Sequence, residues 1–237
     1  PDDNHYTTAR DIFLIACEGM HHQLFAQLVG CREYTTSATN DSPARVLESS
    51  NALITPDSPY SDKYVYPGAV GIKTGYTEKA GYCLVSAVQR DGVNVIAVVL
   101  GADGDTANKE FDSFADTVTL LDWCFENYSY HSIVEKGFAA ASQPLSVKGK
   151  SGSVTLVCAQ GISALAANDL DVSALEKTVT LKAETLDAVP AEGTELGTVS
   201  FSDPTDGTEL GTVALVASND VQLDEPEPQP GAPQGLS

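Results

Sequence analysis

Apolar positions along the first thirty residues repeat at helical spacing. Ile12, Ile15, Ala16, Met20 and Leu24 fall on one stripe, and Thr8 with Asp11 forms a capping-box-like start ahead of them. The pattern predicts a helix to about Val29 with that stripe facing a core. Residues 32–66 are richer in Thr, Ser, Pro and Tyr and predict short extended pieces with turns. Three strand-like runs follow: Ala69 to Thr74, Tyr82 to Gln89, and Val93 to Gly101. Arg90-Asp91-Gly92 between the last two is a hairpin signal. Val93, Val95, Ile96, Ala97, Val98, Val99 and Leu100 are almost uninterrupted, which predicts a strand buried on both faces. Phe111, Phe114, Val118, Leu121 and Phe125 are spaced 3, 4, 3, 4 and predict a helix lying on the sheet by one face.

The pattern changes after about His131. Ser153 to Ala159, Thr178 to Lys182, Gly197 to Ser202 and Gly211 to Ala217 are short, β-branched and separated by turn residues, as in an all-β domain. Gly193-Thr194-Glu195-Leu196-Gly197-Thr198-Val199 is repeated imperfectly at Gly207-Thr208-Glu209-Leu210-Gly211-Thr212-Val213. Two copies predict neighbouring strands; a solenoid needs about three or more. From Asp224 the chain becomes acidic and proline-rich, a linker composition. The expected organisation is a first domain over 1–131, a β-rich domain over 132–222 and a tail over 223–237.

Charge and cysteine content narrow the function classes. Among 237 residues there are 33 acidic and 13 basic ones, a net charge of −20. Such a field repels nucleic acid and anionic membranes, so neither is an expected partner. No apolar run is long enough to cross a bilayer, so membrane contact is expected only through segments outside this chain. The chain opens on Pro1-Asp2-Asp3-Asn4 with no signal-peptide pattern, which points to a fragment or a processed product. Cys17, Cys31, Cys83, Cys124 and Cys158 form no CxxC pair and no zinc spacing. His21-His22, with His5 and His131 far off, likewise lacks metal-ligand spacing. No metal and no organic cofactor is expected.

The chemically distinctive stretch is Gly71-Ile72-Lys73-Thr74-Gly75-Tyr76-Thr77, followed by Ala80-Gly81-Tyr82-Cys83-Leu84-Val85. Lys-Thr-Gly ends a short apolar run, has glycines around it, and is one of three short motifs shared by penicillin-binding proteins and serine β-lactamases. His5-Tyr6-Thr7-Thr8-Ala9-Arg10-Asp11, Asn51-Ala52-Leu53-Ile54, Val98-Val99-Leu100-Gly101-Ala102 and Leu120-Leu121-Asp122-Trp123 continue the match in order. With these parts together, the chain resembles the serine D-alanyl-D-alanine carboxypeptidases, the low-molecular-mass penicillin-binding proteins. The resemblance implies an α+β fold: part of a serine β-lactamase/transpeptidase-like domain, an antiparallel sheet with helices, then a small all-β sandwich-like domain.

The same resemblance implies site roles. Lys73 and Thr74 would bind the terminal carboxylate of a peptide, Gly75 would let backbone approach closely, and the Tyr76 amide would be one of two oxyanion donors. No catalytic residue is present: no serine here has lysine three positions on, so both the nucleophile and the general-base lysine of an S-x-x-K motif are absent. Thr106 with Lys109 follows the motif strand and predicts a helix start with an exposed lysine. Ser49-Ser50-Asn51 matches the family's S-x-N motif in form but lies only two dozen residues before Lys73, in a segment resembling another part of the family, and is read as coincidence. Where the family carries a carboxylate-holding basic residue, this chain has Ser113, with Lys109 a turn earlier as a possible substitute. Tyr60, Tyr64 and Tyr66 could line a cleft or simply pack. The implied function is that of part of a D-Ala-D-Ala carboxypeptidase of the bacterial envelope, acting on peptidoglycan stem peptides ending in D-Ala-D-Ala. β-Lactams would be ligands of the intact enzyme, and this chain alone would be inactive. The alternatives are a non-catalytic envelope binding module or another penicillin-binding transpeptidase.

Overall fold

The computed structural model describes residues 4–56, 62–139, 145–148 and 151–224. They form two compact units, divided between Asn127 and Tyr128.

In the first unit Thr8 starts the chain's first helix. Its Oγ1 accepts the Asp11 N–H at 3.1 Å, and α1 runs Ala9–His21. The single helix expected to Val29 is in fact two. The backbone at His22 is extended (φ −91°, ψ 112°), and α2 follows as Gln23–Val29. Gly19 explains the fold-back: the Phe25 ring closes over it so tightly that a Cβ there would stand 2.8 Å away. The expected stripe is correspondingly narrower. Ala16 is buried and Ile12 and Met20 are half-buried, but Ile15 is 67% and Leu24 68% exposed. Leu24 lies beyond the break, off the line of α1, and Ile15 points away from the sheet.

Residues 33–48 make a small antiparallel pair, β1 (Glu33–Thr36) with β2 (Arg45–Glu48). The central element is a three-stranded antiparallel sheet of β3 (Ala69–Thr77), β4 (Gly81–Arg90) and β5 (Val93–Ala102), in that order. Asp91 and Gly92, both at positive φ, make the β4–β5 turn. A two-residue pair, β6 (Gly104–Asp105) with β7 (Glu110–Phe111), leads into α3 (Asp112–Asn127).

Alternation along β4 divides the core. Leu84 and Val88 face a cluster with Phe111, Phe114 and Leu121 around α3, joined by Ala52, Leu53, Tyr64 and Tyr66. Val85 and Ala87 face the opposite cluster with Ala16 and Ile72, where Val29 and Phe25 pack. Full burial of a side chain such as Leu84 or Leu121 is worth about 1.5–3 kcal/mol. The strand most deeply covered is β4. The apolar run of β5 is only partly buried, because among the described residues it pairs with β4 alone and its far edge is open. The opposite edge, that of β3, is likewise unpaired.

The second unit is all β. It starts at β8 (Tyr128–Val134), which pairs with β11 (Ile162–Ala167); β9 (Ser146–Val147) pairs in parallel with β13 (Thr185–Leu186). Four longer strands form one antiparallel sheet in the order β10 (Ser151–Cys158), β15 (Glu209–Asp224), β14 (Glu195–Ser202), β12 (Glu176–Leu181). The duplicated segments are adjacent strands, and Val199 stands directly opposite Val213 in the buried core with Phe201, Leu156 and Leu215. Because Tyr128–Val134 is paired within this unit, the division lies slightly before the change in composition at His131. At the other end β15 pairs through Asp224, so Leu223 and Asp224 belong to a strand. The proline-rich stretch from Glu225 lies outside the described residues, as does Tyr60.

Candidate active-site wall

Lys73, Thr74, Gly75 and Tyr76 sit on β3, the edge strand, opposite Val85, Leu84, Cys83 and Tyr82 of β4. Lys73 is exposed, and its Nζ donates to the Thr74 carbonyl at 2.6 Å. Thr74 is half-buried. Tyr76 is exposed, with its ring on that of Tyr82 at 4.3 Å; Tyr82 in turn meets the edge of Phe111 at 5.0 Å. A cavity of about 240 Å³ opens against this strand, lined by the four motif residues together with Tyr82, Cys83, Phe111, Ser113 and Phe114.

The aromatic floor is held from below. Tyr64 stacks on Phe114 at 5.2 Å, and its hydroxyl accepts the Phe111 N–H at 3.0 Å. Tyr66 donates its hydroxyl to Asp122 at 2.8 Å, tying the entrance of β3 to α3. Burial, then the hydrogen bond and charge of Asp122, push the Tyr66 phenol up to about 12; Arg90 partly opposes them. Both tyrosines are therefore packing residues.

Gly75 is conspicuous because the fold itself does not require it. Its φ is not left-handed, and a Cβ there would meet only Cys83 Cβ at 3.9 Å, an ordinary contact. A methyl group at Gly75 would intrude on open space beside the strand.

The structure separates the two residues considered for the carboxylate-holding position. Ser113, at the start of α3, lines the cavity. Lys109 is exposed at the β6–β7 turn with φ +54°, away from the cavity wall. The helix start expected at Thr106–Lys109 is instead this hairpin tip, because Asp105 accepts the Ala107 and Asn108 N–H groups and closes a turn there. Hydrogen bonds from Asn108 and Ala107 hold the Asp105 carboxyl below the usual carboxylate range.

One neighbour of the motif was not foreseen as part of it. Ser50 Oγ lies 2.7 Å from Thr74 Oγ1. Its sequence signal was Ser49-Ser50-Asn51 directly ahead of the buried Asn51-Ala52-Leu53-Ile54, but the contact spans 24 residues and depends on how the loop folds. All five cysteine thiols are free, and the described residues contain no group of His, Cys, Asp or Glu side chains arranged to hold a metal. No described helix is long and apolar enough to cross a membrane.

An edge strand bearing Lys-Thr-Gly, backed by an α-helix and followed by a β domain, defines the transpeptidase-like class of fold. Comparison with known proteins makes this specific. Residues 1–104 match the family model of D-alanyl-D-alanine carboxypeptidase, and residues 128–223 match that of the penicillin-binding protein 5 C-terminal domain. D-alanyl-D-alanine carboxypeptidase DacF of Bacillus subtilis is 29% identical over 198 residues, covering 84% of this chain and 46% of its own length. D-alanyl-D-alanine carboxypeptidase of Streptomyces sp. (strain K15) is 32% identical over 124 residues, covering 51% of this chain and 38% of its own. The chain thus spans less than half the length of either relative. Two solved structures share the fold at 22% identity. Penicillin-binding protein 5 of Haemophilus influenzae matches with a TM-score of 0.55, over 93% of this chain and 58% of that one. PBP3 of Streptococcus pneumoniae, titled a peptidoglycan synthesis regulatory factor, matches with a TM-score of 0.60, over 91% and 57%. The chain belongs, as a partial member, to the low-molecular-mass penicillin-binding protein family of D-alanyl-D-alanine carboxypeptidases.

Proposed function

We propose that this chain supplies the carboxylate-binding wall of a serine D-Ala-D-Ala carboxypeptidase of the bacterial envelope. In that reaction a serine attacks the penultimate D-alanine carbonyl, an acyl-enzyme forms, the terminal D-alanine leaves, and water releases the shortened stem peptide. Lys73 contributes positive charge to the substrate carboxylate and Thr74 a directed hydroxyl. The Tyr76 N–H contributes one oxyanion donor; such a donor is worth about 10²–10³ in kcat in other serine enzymes. The attacking serine and its lysine come from residues outside this chain. Loss of a serine nucleophile costs about 10⁶ in kcat, so the isolated chain has no measurable turnover.

The observation that carries this reading is the cavity beside β3, which collects Lys73, Thr74 and an unobstructed Gly75 on one wall. Titration of the chain with an N-acylated peptide ending in D-Ala-D-Ala, followed by amide chemical shifts, tests it. Shifts should cluster at Lys73–Tyr76 and vanish in Lys73→Ala. Equal binding of the same peptide with an amidated terminus would overturn the carboxylate assignment. Covalent labelling of the chain by a fluorescent penicillin would overturn its predicted inactivity.

A further inference from the structure

We propose that Ser50 is a positioning residue that aims the Thr74 hydroxyl at a bound carboxylate, an inference resting on the carboxylate-site reading of Lys73-Thr74-Gly75. Thr74 lines two cavities. One is the 240 Å³ cavity, and the other, of about 470 Å³, also carries Ser49, Ser50 and Asn51 in its wall. Ser50 Oγ, which belongs to the second wall alone, lies 2.7 Å from Thr74 Oγ1. A hydroxyl has one proton to donate and can accept as well. When a carboxylate takes the Thr74 proton, the only role left to Ser50 in their shared contact is donor, and its proton enters the lone pair Thr74 still offers. The two bonds then run in one direction, from Ser50 through Thr74 to the ligand, and each polarises the other.

The loop that presents Ser50 is held firmly, which positioning demands. Ser49 N–H donates to the Arg32 carbonyl at 2.8 Å, and Ser49 Oγ accepts the Asn51 N–H at 3.2 Å. Asn51, nearly inaccessible to solvent, accepts the Leu53 N–H on its Oδ1 at 3.1 Å. Ala52 and Leu53 beyond it are fully buried, and the Leu53 carbonyl accepts the Tyr66 N–H at 3.0 Å. Ser50 is therefore fixed both to the hairpin before it and to the core after it. Threonine contributes its own part, since β-branching leaves few χ1 states to choose between and one added hydrogen bond can select among them.

The test uses the full chain and four variants: Ser50→Ala, Ser50→Thr, Thr74→Val and Ser50→Ala/Thr74→Val. Three-bond couplings to the Thr74 methyl carbon report its χ1 populations, and titration with N-acylated D-Ala-D-Ala peptide reports affinity. The parent and Ser50→Thr should show one dominant Thr74 rotamer; Ser50→Ala should show averaging and bind about two- to tenfold more weakly. On the Thr74→Val background the serine substitution should have no further effect, a dependence that general loosening of the loop would not produce. Should Ser50→Ala fail to fold, Ser50→Cys, with similar volume and a weak donor, takes its place. An unchanged rotamer and affinity in Ser50→Ala, or an equal loss on both backgrounds, overturns the role of Ser50 and leaves the carboxylate site standing. Thr74→Val binding as tightly as the parent overturns the carboxylate reading and, with it, this inference.

Discussion

Replacing Tyr66 by Phe should destabilise the first unit by about 1.5–3 kcal/mol at neutral pH, the usual worth of a hydrogen bond to a charged group. The lost contact is the 2.8 Å bond to Asp122, which joins the segment leading into β3 to α3. The pH dependence provides a second measure of the same site. The folded phenol ionises near 12 and the unfolded one near its ordinary 10. Below pH 10 both states keep the proton and stability is flat. Between 10 and 12 the unfolded chain releases it first, so this group's stability contribution is lost as pH rises. Two pH units correspond to about 3 kcal/mol. The gap between parent and Tyr66→Phe should therefore be widest at neutral pH and shrink through that window, because phenylalanine has nothing to titrate. Urea denaturation followed by Trp123 is a suitable assay. It is the chain's single tryptophan and lies in the first unit, adjacent to Asp122 on α3. A neutral-pH gap under about 0.5 kcal/mol, or one of constant size from about pH 9 to 11.5, would refute the reasoning.

The remaining expectations concern other parts of the two units. Leu121→Ala removes a fully buried side chain between α3 and the sheet and should cost about 2–5 kcal/mol, read by Trp123 in urea. Gly197→Ala would drive a Cβ into the Thr180 carbonyl across the β12–β14 pair. It should destabilise the second unit by about 1–3 kcal/mol, seen as faster amide exchange in β12 and β14. Gly75→Ala meets nothing closer than Cys83 Cβ, so stability should stay within about 0.5 kcal/mol of the parent while D-Ala-D-Ala peptide binding weakens in titration.

How far these features were legible depends on the distance over which each is determined. Of the stripe Phe111, Phe114, Val118, Leu121 and Phe125, the helical part could be read because helical periodicity is local: Phe114 and Leu121 are buried against the sheet and Val118 and Phe125 half-buried, whereas Phe111 is buried from β7, ahead of α3. The duplicated Gly-Thr-Glu-Leu-Gly-Thr-Val segments were read as neighbours because a short turn between matched β-branched runs leaves few other arrangements, and Val199 opposes Val213. The break at His22 was hidden, since its cause is a tertiary contact: the Phe25 ring folding back over Gly19. The half-exposure of β5 was hidden because apolar content cannot tell a central strand from an edge strand. For the candidate site, Lys73, Thr74, Gly75 and Tyr76 were visible as contiguous residues, whereas Ser50 is brought to Thr74 only by the fold. Lys109 offered a possible substitute, one helical turn earlier, for the basic residue missing at Ser113. The Asp105 turn instead places Lys109 at the tip of the β6–β7 hairpin, and α3 starts only after β7.

The position of Lys73 on a strand whose outer edge has no partner strand among the described residues has a consequence for how the chain behaves in company. A free edge offers a row of backbone donors and acceptors that any second extended chain can use, which is the usual route to sheet-to-sheet aggregation. On β3 the residues before Lys73 are apolar and half-buried or buried, so the edge would otherwise be attractive to another copy. Two copies meeting antiparallel about Lys73 would set two ammonium groups across from each other, a like-charge pairing that disfavours the contact. The lysine that marks the binding wall thus also discourages the strand from accepting its own kind.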